Sequence, residues 1–243
     1  MLEKRALVAV FWSVLEQFLS KTAHVLTTFI LAYFLVPADY ALLAMLALFI
    51  SLGALLVDGG FSHALIRKIE VSQNDLNTVF WLNLALALGV YIVLYLSAPS
   101  ISSFYSEARL TGLVRVVSLS VFFQALSVVP KVVLIRSLGF KQQVKVVLPA
   151  AIISSIVAVA LGAYEWGIWA LIAQILCTHM VTFFLYYFES KWRPKLYFSA
   201  DSVRSLWSFS KFIVFNIFTL EFRKYKKDIK FINSEIKDLT GAM

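Results

Sequence analysis

Six apolar stretches, at residues 7–35, 40–66, 78–97, 113–134, 146–163 and 167–188, constrain this chain more than any other feature. Each approaches or exceeds the length, about 20 residues, that carries a helix across a hydrocarbon layer about 30 Å thick. Lipid offers no partner to a backbone N–H or C=O, so a crossing segment must satisfy its own and folds as a helix. Composition agrees: 60% of the 243 residues are hydrophobic and 15% are charged, where an average soluble domain carries roughly 25% charge. The expected fold class is an all-α membrane protein, with residues 1–204 forming a six-transmembrane-helix bundle.

Loop charges test that reading. Lys4, Arg5, Arg67, Lys68, Arg136, Lys141, Lys145, Lys191, Arg193, Lys195 and Arg204 fall before the first stretch or after the second, fourth and sixth. The alternate loops hold Arg109 and Arg115 with Asp39, Glu107 and Glu165. Eleven basic residues against two place the N-terminus and the basic loops in the cytoplasm. The net charge of +8 then belongs to cytoplasmic loops and needs no nucleic-acid partner. Tyr40, Trp81, Tyr105, Trp166, Trp169 and Trp192 stand near span ends, where aromatic rings anchor at headgroup depth. Residues 205–220 are too few for an ordinary span and read as a partial or interfacial seventh helix. If that segment crossed, the basic tail at 221–243 would lie outside, against the charge rule. Either the segment is interfacial, or the chain is a truncated or frameshifted product that stops where a longer protein would continue. The tail itself reads as a charged, weakly amphipathic helix or a disordered end. No cleavable signal peptide is expected, because the first stretch is long and carries Glu16 and Lys21. The single cysteine, Cys177, excludes an intramolecular disulfide.

The first stretch is the most informative. At 100° per residue, Ser13, Glu16, Gln17, Ser20, Lys21, His24, Thr27 and Thr28 share an arc of about 140°. Val14, Leu15, Phe18, Leu19, Val25 and Leu26 occupy the opposite face. Ionisable groups at membrane depth cost several kcal/mol against lipid, so this stripe is expected to face a solvated cavity. The competing reading is a Glu16–Ser20–Lys21 set that bonds helices together. Weaker stripes follow at Ser120, Gln124, Ser127 and Lys131, the last beside the kink-forming Pro130, and at Gln174, Thr178, Thr182 and Tyr186. For both, interhelical hydrogen bonding stays open beside ligand contact. Asp58-Gly59-Gly60 is expected to bend one long helix that runs on to Ile66. Asp58 would either cap backbone N–H groups at that bend or couple an ion.

Signs of catalysis are poor. His24, His63 and His179 have no second ligand at metal spacing, and Cys177 and His179 point in different directions on one helix. Phosphate-cradling loops, a nucleophile elbow and paired carboxylates are missing. Neither enzymatic activity nor a cofactor or metal is expected.

Six segments carry a resemblance. "ILAYFLVPADYALLAML" is similar to a first-loop signature of the form I-L-A-R-x-L-x-P-x-D-Y-G, with Tyr33 in place of Arg and Ala41 in place of Gly. "LLVDGGFSHALIRK", "NTVFWLNLALAL", "VVLIRSLGFK", "GIWALIAQIL" and "KWRPKLYFS" follow in register, so the likeness runs from about residue 5 to 215. Together they resemble the Wzx-type lipid-linked oligosaccharide flippases of the MOP superfamily. The resemblance implies two six-helix lobes around a central cavity, of which this chain supplies one, the N-terminal half. It implies alternating access that moves an undecaprenyl-pyrophosphate-linked glycan across the bacterial cytoplasmic (inner) membrane, for lipopolysaccharide or exopolysaccharide assembly. Its partners would be the bilayer, the lipid-linked oligosaccharide and other polysaccharide-assembly membrane proteins. In that frame Lys21, His24 and Lys131 attract the anionic headgroup. Ser13, Gln17, Ser20, Thr27, Thr28, Gln124, Gln174 and Thr178 line the cavity. Glu16 and Asp58 couple an ion, and Gly59 and Gly60 act as a hinge. Three alternatives stand beside it: an inactive half-transporter remnant, a cation-coupled drug exporter of the same superfamily, and a membrane-embedded glycan polymerase or glycosyltransferase. The last would need a larger external loop than this chain has.

Overall fold

The computed structural model describes residues 2–137 and 139–207. Most of the expected seventh segment and the whole tail lie outside that range, as do the side chains of residues 2–10, Ser13, Glu16 and Phe140. All regular structure among the described residues is helical. The elements are α1 (Leu2–Leu31), α2 (Pro37–Asp58), α3 (Phe61–Arg67), α4 (Gln73–Tyr105), α5 (Leu110–Val117), α6 (Leu119–Arg136), α7 (Phe140–Ala163) and α8 (Ile168–Glu189). A short helical turn at 200–207 follows.

Five segments are long and apolar enough to cross a membrane: α2, α4, α5 continuing into α6, α7 and α8. At 30 residues, or about 45 Å, α1 also has the length, but its polar stripe sets it apart from those five. The fold is an all-α membrane bundle.

Helix ends follow local chemistry. Pro37 opens α2 at a position where its missing N–H costs nothing. At α4 the Ser72 hydroxyl accepts from Asp75 N–H while the Asp75 carboxylate accepts from Ser72 N–H, a reciprocal cap. The one break the sequence placed correctly but misjudged in kind is at Gly59-Gly60. Both are left-handed, with φ of 51° and 73°, so two helices meet at a sharp corner where a single bent helix was expected. A left-handed pair ends the hydrogen-bond ladder of α2 and restarts it in α3.

Helix packing runs α1–α7–α8–α6–α4, with α2 laid against α4 and α6. α1 packs closely on α7: a Cβ added at Gly162 would stand 2.8 Å from Leu31 Cδ2. Buried Leu31, Leu35, Ala158, Ala170 and Leu171 form the core there. A second core joins Phe61, Leu65, Val79, Phe80, Val129, Val132 and Trp192 around α3, α4 and α6.

The two ends of the bundle differ. At one, Arg136 at the end of α6 donates to four carbonyls, those of Leu65 (2.7 Å), Ile66 (3.1 Å), Lys68 (2.6 Å) and Ile69 (3.0 Å). Nearby, Lys68 pairs with the buried Asp75 at 2.7 Å. Trp192 Nε1 donates to Gln73, Trp81 Nε1 to the Lys195 carbonyl, and Lys195 N–H to Asn77. The 190–199 segment is thereby tied to the start of α4. At the other end Asp39 lies beside Gly167, and exposed Arg109 holds the Glu107 carboxyl below its ordinary value through a direct hydrogen bond. The sequence assigned these two groups of loops to opposite faces from charge alone.

Candidate functional site: a polar cavity and the pocket behind it

A cavity of about 570 Å³ opens between α3, α6, α7 and α8. Its position follows from the fold. After the break at Gly59-Gly60, α3 brings Ser62 and His63 to one wall, with Asp58 beside the break. From α6 come Gln124, Ser127 and Lys131, spaced three and four residues apart and so on one helix face. From α8 come Thr178, His179, Thr182 and Tyr186, and from α7 Gln143 and Val147.

Behind it lies a smaller pocket of about 90 Å³, walled by Ser20 and His24 of α1, Ala151, Ser154 and Ser155 of α7, and Gln174 of α8. Val147, Thr178 and Thr182 line both spaces. The two therefore share a wall, and the polar side chains on either side of it form one track across α1, α6, α7 and α8.

Several polar groups on this track are satisfied internally. Ser62 Oγ donates to Asp58 Oδ2 at 2.9 Å, Ser127 to the Phe123 carbonyl at 3.0 Å, and Thr178 to the Gln174 carbonyl at 2.8 Å. Asp58 was expected either to cap the bend or to couple an ion. Its recorded partner is the Ser62 hydroxyl, and no side chain caps α3. Lys131 is exposed and lines the cavity. His63 and His179 flank it from two other helices. Among the described residues, no group of three or more His, Cys, Asp or Glu could hold a metal ion.

Of the expected site residues, Asp58, Gln124, Lys131 and Thr178 meet in the larger space, and Ser20, His24, Gln174 and Thr178 in the smaller. The α1 stripe divides. Thr27 is buried, donates to the Ala23 carbonyl, and lies 2.6 Å from Ser155 Oγ. Gln17, Lys21 and Thr28 are exposed and lie outside both spaces. The reason is geometric: α1 is an edge helix packed on α7, so only the strip turned toward α7 and α8 reaches the track. Ser13 and Glu16 lie outside the described side chains.

Sequence reasoning passed over Gln143, His63 and His179 as site residues. Gln143 was counted as loop because the fifth stretch was started at residue 146, whereas α7 begins at Phe140. The four-residue step from Gln143 to Val147, one helical turn, was the available signal. The histidines were weighed as metal ligands and set aside, and nothing local indicates that α3 and α8 face each other across a cavity.

A family profile described as "Polysaccharide biosynthesis protein" matches residues 30–230. The chain is 27% identical over 199 residues to the succinoglycan biosynthesis transport protein ExoT of Rhizobium meliloti (strain 1021), covering 82% of this chain and 40% of that protein. It is 26% identical over 161 residues to the teichuronic acid biosynthesis protein TuaB of Bacillus subtilis (strain 168), 65% of this chain and 33% of that one. It is 26% identical over 172 residues to the lipopolysaccharide biosynthesis protein WzxC of Escherichia coli (strain K12), 68% of this chain and 34% of that one. The chain thus spans between a third and two fifths of these relatives' lengths. No solved structure matches it.

Proposed function

Since the chain belongs to the polysaccharide biosynthesis protein family of membrane transport proteins, we propose that it takes part in moving an undecaprenyl-pyrophosphate-linked oligosaccharide across the bacterial cytoplasmic membrane, by alternating access. One observation carries this reading. A cavity beside the end of α6 holds Lys131, His63, His179 and several hydroxyl groups, and it shares Val147, Thr178 and Thr182 with a second, smaller pocket that holds Ser20, His24 and Gln174. A diphosphate headgroup and its first sugars need such a path, while the prenyl chain stays in lipid.

The residues divide the task by chemistry. Lys131 attracts the diphosphate at the cavity mouth, and His63 and His179 stand beside it with ring N–H donors. His24 and Ser20 receive the headgroup further in. Asp58 is the carboxylate on the cavity wall, placed to couple translocation to a proton or sodium ion. Arg67, Lys141, Lys145 and Lys191 fall in the same set of loops, and this charge supports reading that end as cytoplasmic, the side on which the substrate would be made. Cytoplasmic-membrane localisation and assembly with other polysaccharide-building membrane proteins belong to the same proposal.

In a second reading, this unit binds the headgroup without completing the crossing. Proteoliposome experiments separate the two. With a short-chain polyprenyl diphosphate carrying a fluorescent sugar, both readings expect binding, and only the first expects loss of label from the outer leaflet. Lys131→Ala should weaken binding about tenfold or more, the scale of one charge-assisted contact to phosphate. Lys21→Ala, outside both spaces, should change it less than about twofold. Equal effects of the two substitutions would refute this placement of the site.

A further inference from the structure

The segment that follows α8 is tied down by its backbone and yet turns apolar side chains outward. Arg193 stacks on the Tyr187 ring at 3.9 Å and donates to the carbonyls of Tyr187 and Trp192, which fixes where the segment leaves the helix. Three further bonds hold it against the first turns of α4. Lys195 N–H donates to Asn77 Oδ1 at 3.0 Å, Ser199 N–H to Thr78 Oγ1 at 3.1 Å, and Trp81 Nε1 to the Lys195 carbonyl at 2.9 Å. Asn77 and Thr78 are themselves buried. Between those ties Tyr197 N–H closes on the Lys195 carbonyl, a three-residue turn with Leu196 at its apex. Leu196 is 90% exposed and Phe198 is 59% exposed. Lys191, Lys195 and Arg204 are exposed beside them and make no ion pair among the described residues.

A leucine and a phenylalanine fixed at a turn gain nothing from water and gain burial at a bilayer surface. Depth follows from Trp81, which lies about one turn into the apolar stretch that begins at residue 78. An indole at such a place sits among the headgroups, and its bond to the Lys195 carbonyl holds the turn at the same level. We propose that residues 191–204 form a contact for anionic phospholipid. Leu196 and Phe198 enter the acyl boundary, and Lys191, Lys195 and Arg204 take the headgroup phosphates. Charge complementarity supports this occupant: residues 190–207 hold four Lys/Arg and one acidic side chain, Asp201, and basic residues beside a membrane are drawn to anionic lipid. A zwitterionic lipid offers the same acyl boundary without net charge, so the cations set the preference. Because the turn is already held, little ordering is required when lipid arrives. The segment lines neither cavity, so this contact is separate from any ligand they take. Trp207 at its far end meets Phe61 of α3 at 6.1 Å between ring centroids, and lipid seated on the segment thus braces α3.

The test uses the full chain with Cys177→Ser and Ala200→Cys, labelled with a fluorophore at position 200, which is exposed. It is placed in nanodiscs of mixed phosphatidylcholine and phosphatidylglycerol. Quenching is compared for the two lipids, each carrying the same nitroxide on its acyl chain. Quenching by phosphatidylglycerol should exceed that by phosphatidylcholine about fivefold, the scale of one basic residue facing an anionic surface. Lys191→Gln with Lys195→Gln should make the two lipids quench alike. Lys141→Gln with Lys145→Gln removes the same charge from another loop of the same set and should leave the parent's ratio. Leu196→Ser with Phe198→Ser should cut quenching by both lipids to about half or less while the ratio stays. Should the serine pair unfold early, Leu196→Ala with Phe198→Ala makes the same comparison. A parent without preference, or a Lys191/Lys195 variant that keeps it, would overturn the proposal. An equal loss in the Lys141/Lys145 variant would also overturn it, by making the preference one of overall charge. Unchanged quenching in the Leu196/Phe198 variants would overturn the insertion of the turn.

Discussion

Arg136 shows what a single side chain does in this bundle. A guanidinium is planar and always charged, and its fork of donors spans several acceptors at once. Here it collects the carbonyls of Leu65, Ile66, Lys68 and Ile69, which α3 leaves unsatisfied as it ends. It thereby fixes the helix that carries Ser62 and His63 to the cavity wall. Arg136→Ala should cost about 2–4 kcal/mol, since three part-buried carbonyls lose charge-assisted donors. Arg136→Lys should recover less than half of that, because an ammonium cannot reach four carbonyls in this arrangement. Thermal unfolding in detergent measures both. A lysine variant as stable as the parent would show that charge alone, without the fork, suffices. The sequence marked Arg136 only as one more cytoplasmic cation. Its partners lie about seventy positions away, and no local pattern indicates them.

At the scale of elements, the sequence read six apolar stretches, and helices stand at each of them. Hydrophobic periodicity is a local property, and the bilayer's demand for internal hydrogen bonding leaves little choice of structure. The corner at Gly59-Gly60 was half legible: the glycines declared a departure from α2, but only the left-handed dihedrals make it a break. The α1 stripe was legible as a pattern, but which part of it meets other helices depends on α1 being an edge helix. That contact turns on Gly162, where a larger residue must push Leu31 away. Gly162→Val is expected to cost about 1–3 kcal/mol by overpacking and to loosen α1 from α7. Disulfide formation between cysteines placed at Thr27 and Ser155, with Cys177→Ser, would report the gap. The pair should crosslink rapidly in the parent background and slowly with Gly162→Val. Equal rates would mean that α1 is held elsewhere.

For the whole molecule, charge and packing agree on which loops share an end. Arg67, Arg136 and the 190–199 segment gather at one, and Asp39, Glu107 and Gly167 gather at the other. The first end is expected to face the cytoplasm. In a Cys177→Ser background, a cysteine at Ala108 should react with an impermeant maleimide in intact cells, and one at Lys141 only after permeabilisation. The reverse pattern would invert the bundle and move the cavity mouth to the outside. The candidate site was legible in part because Lys131, Gln124, Gln174 and Thr178 lie on helical stripes. The convergence of α3, α6, α7 and α8 that joins them is tertiary and was not.

The central claim is that the cavity around Lys131 is solvated, opens at the basic end and takes a lipid-diphosphate headgroup. Thr182 lines both spaces, so a cysteine there, with Cys177→Ser, reports on the track directly. In proteoliposomes with the basic end outward, Thr182→Cys is expected to react with a water-soluble maleimide. A short-chain polyprenyl diphosphate sugar should slow that reaction about tenfold, and Lys131→Ala should abolish the protection. A cysteine that reacts no faster than one facing lipid, or that the ligand leaves unprotected, would contradict the account.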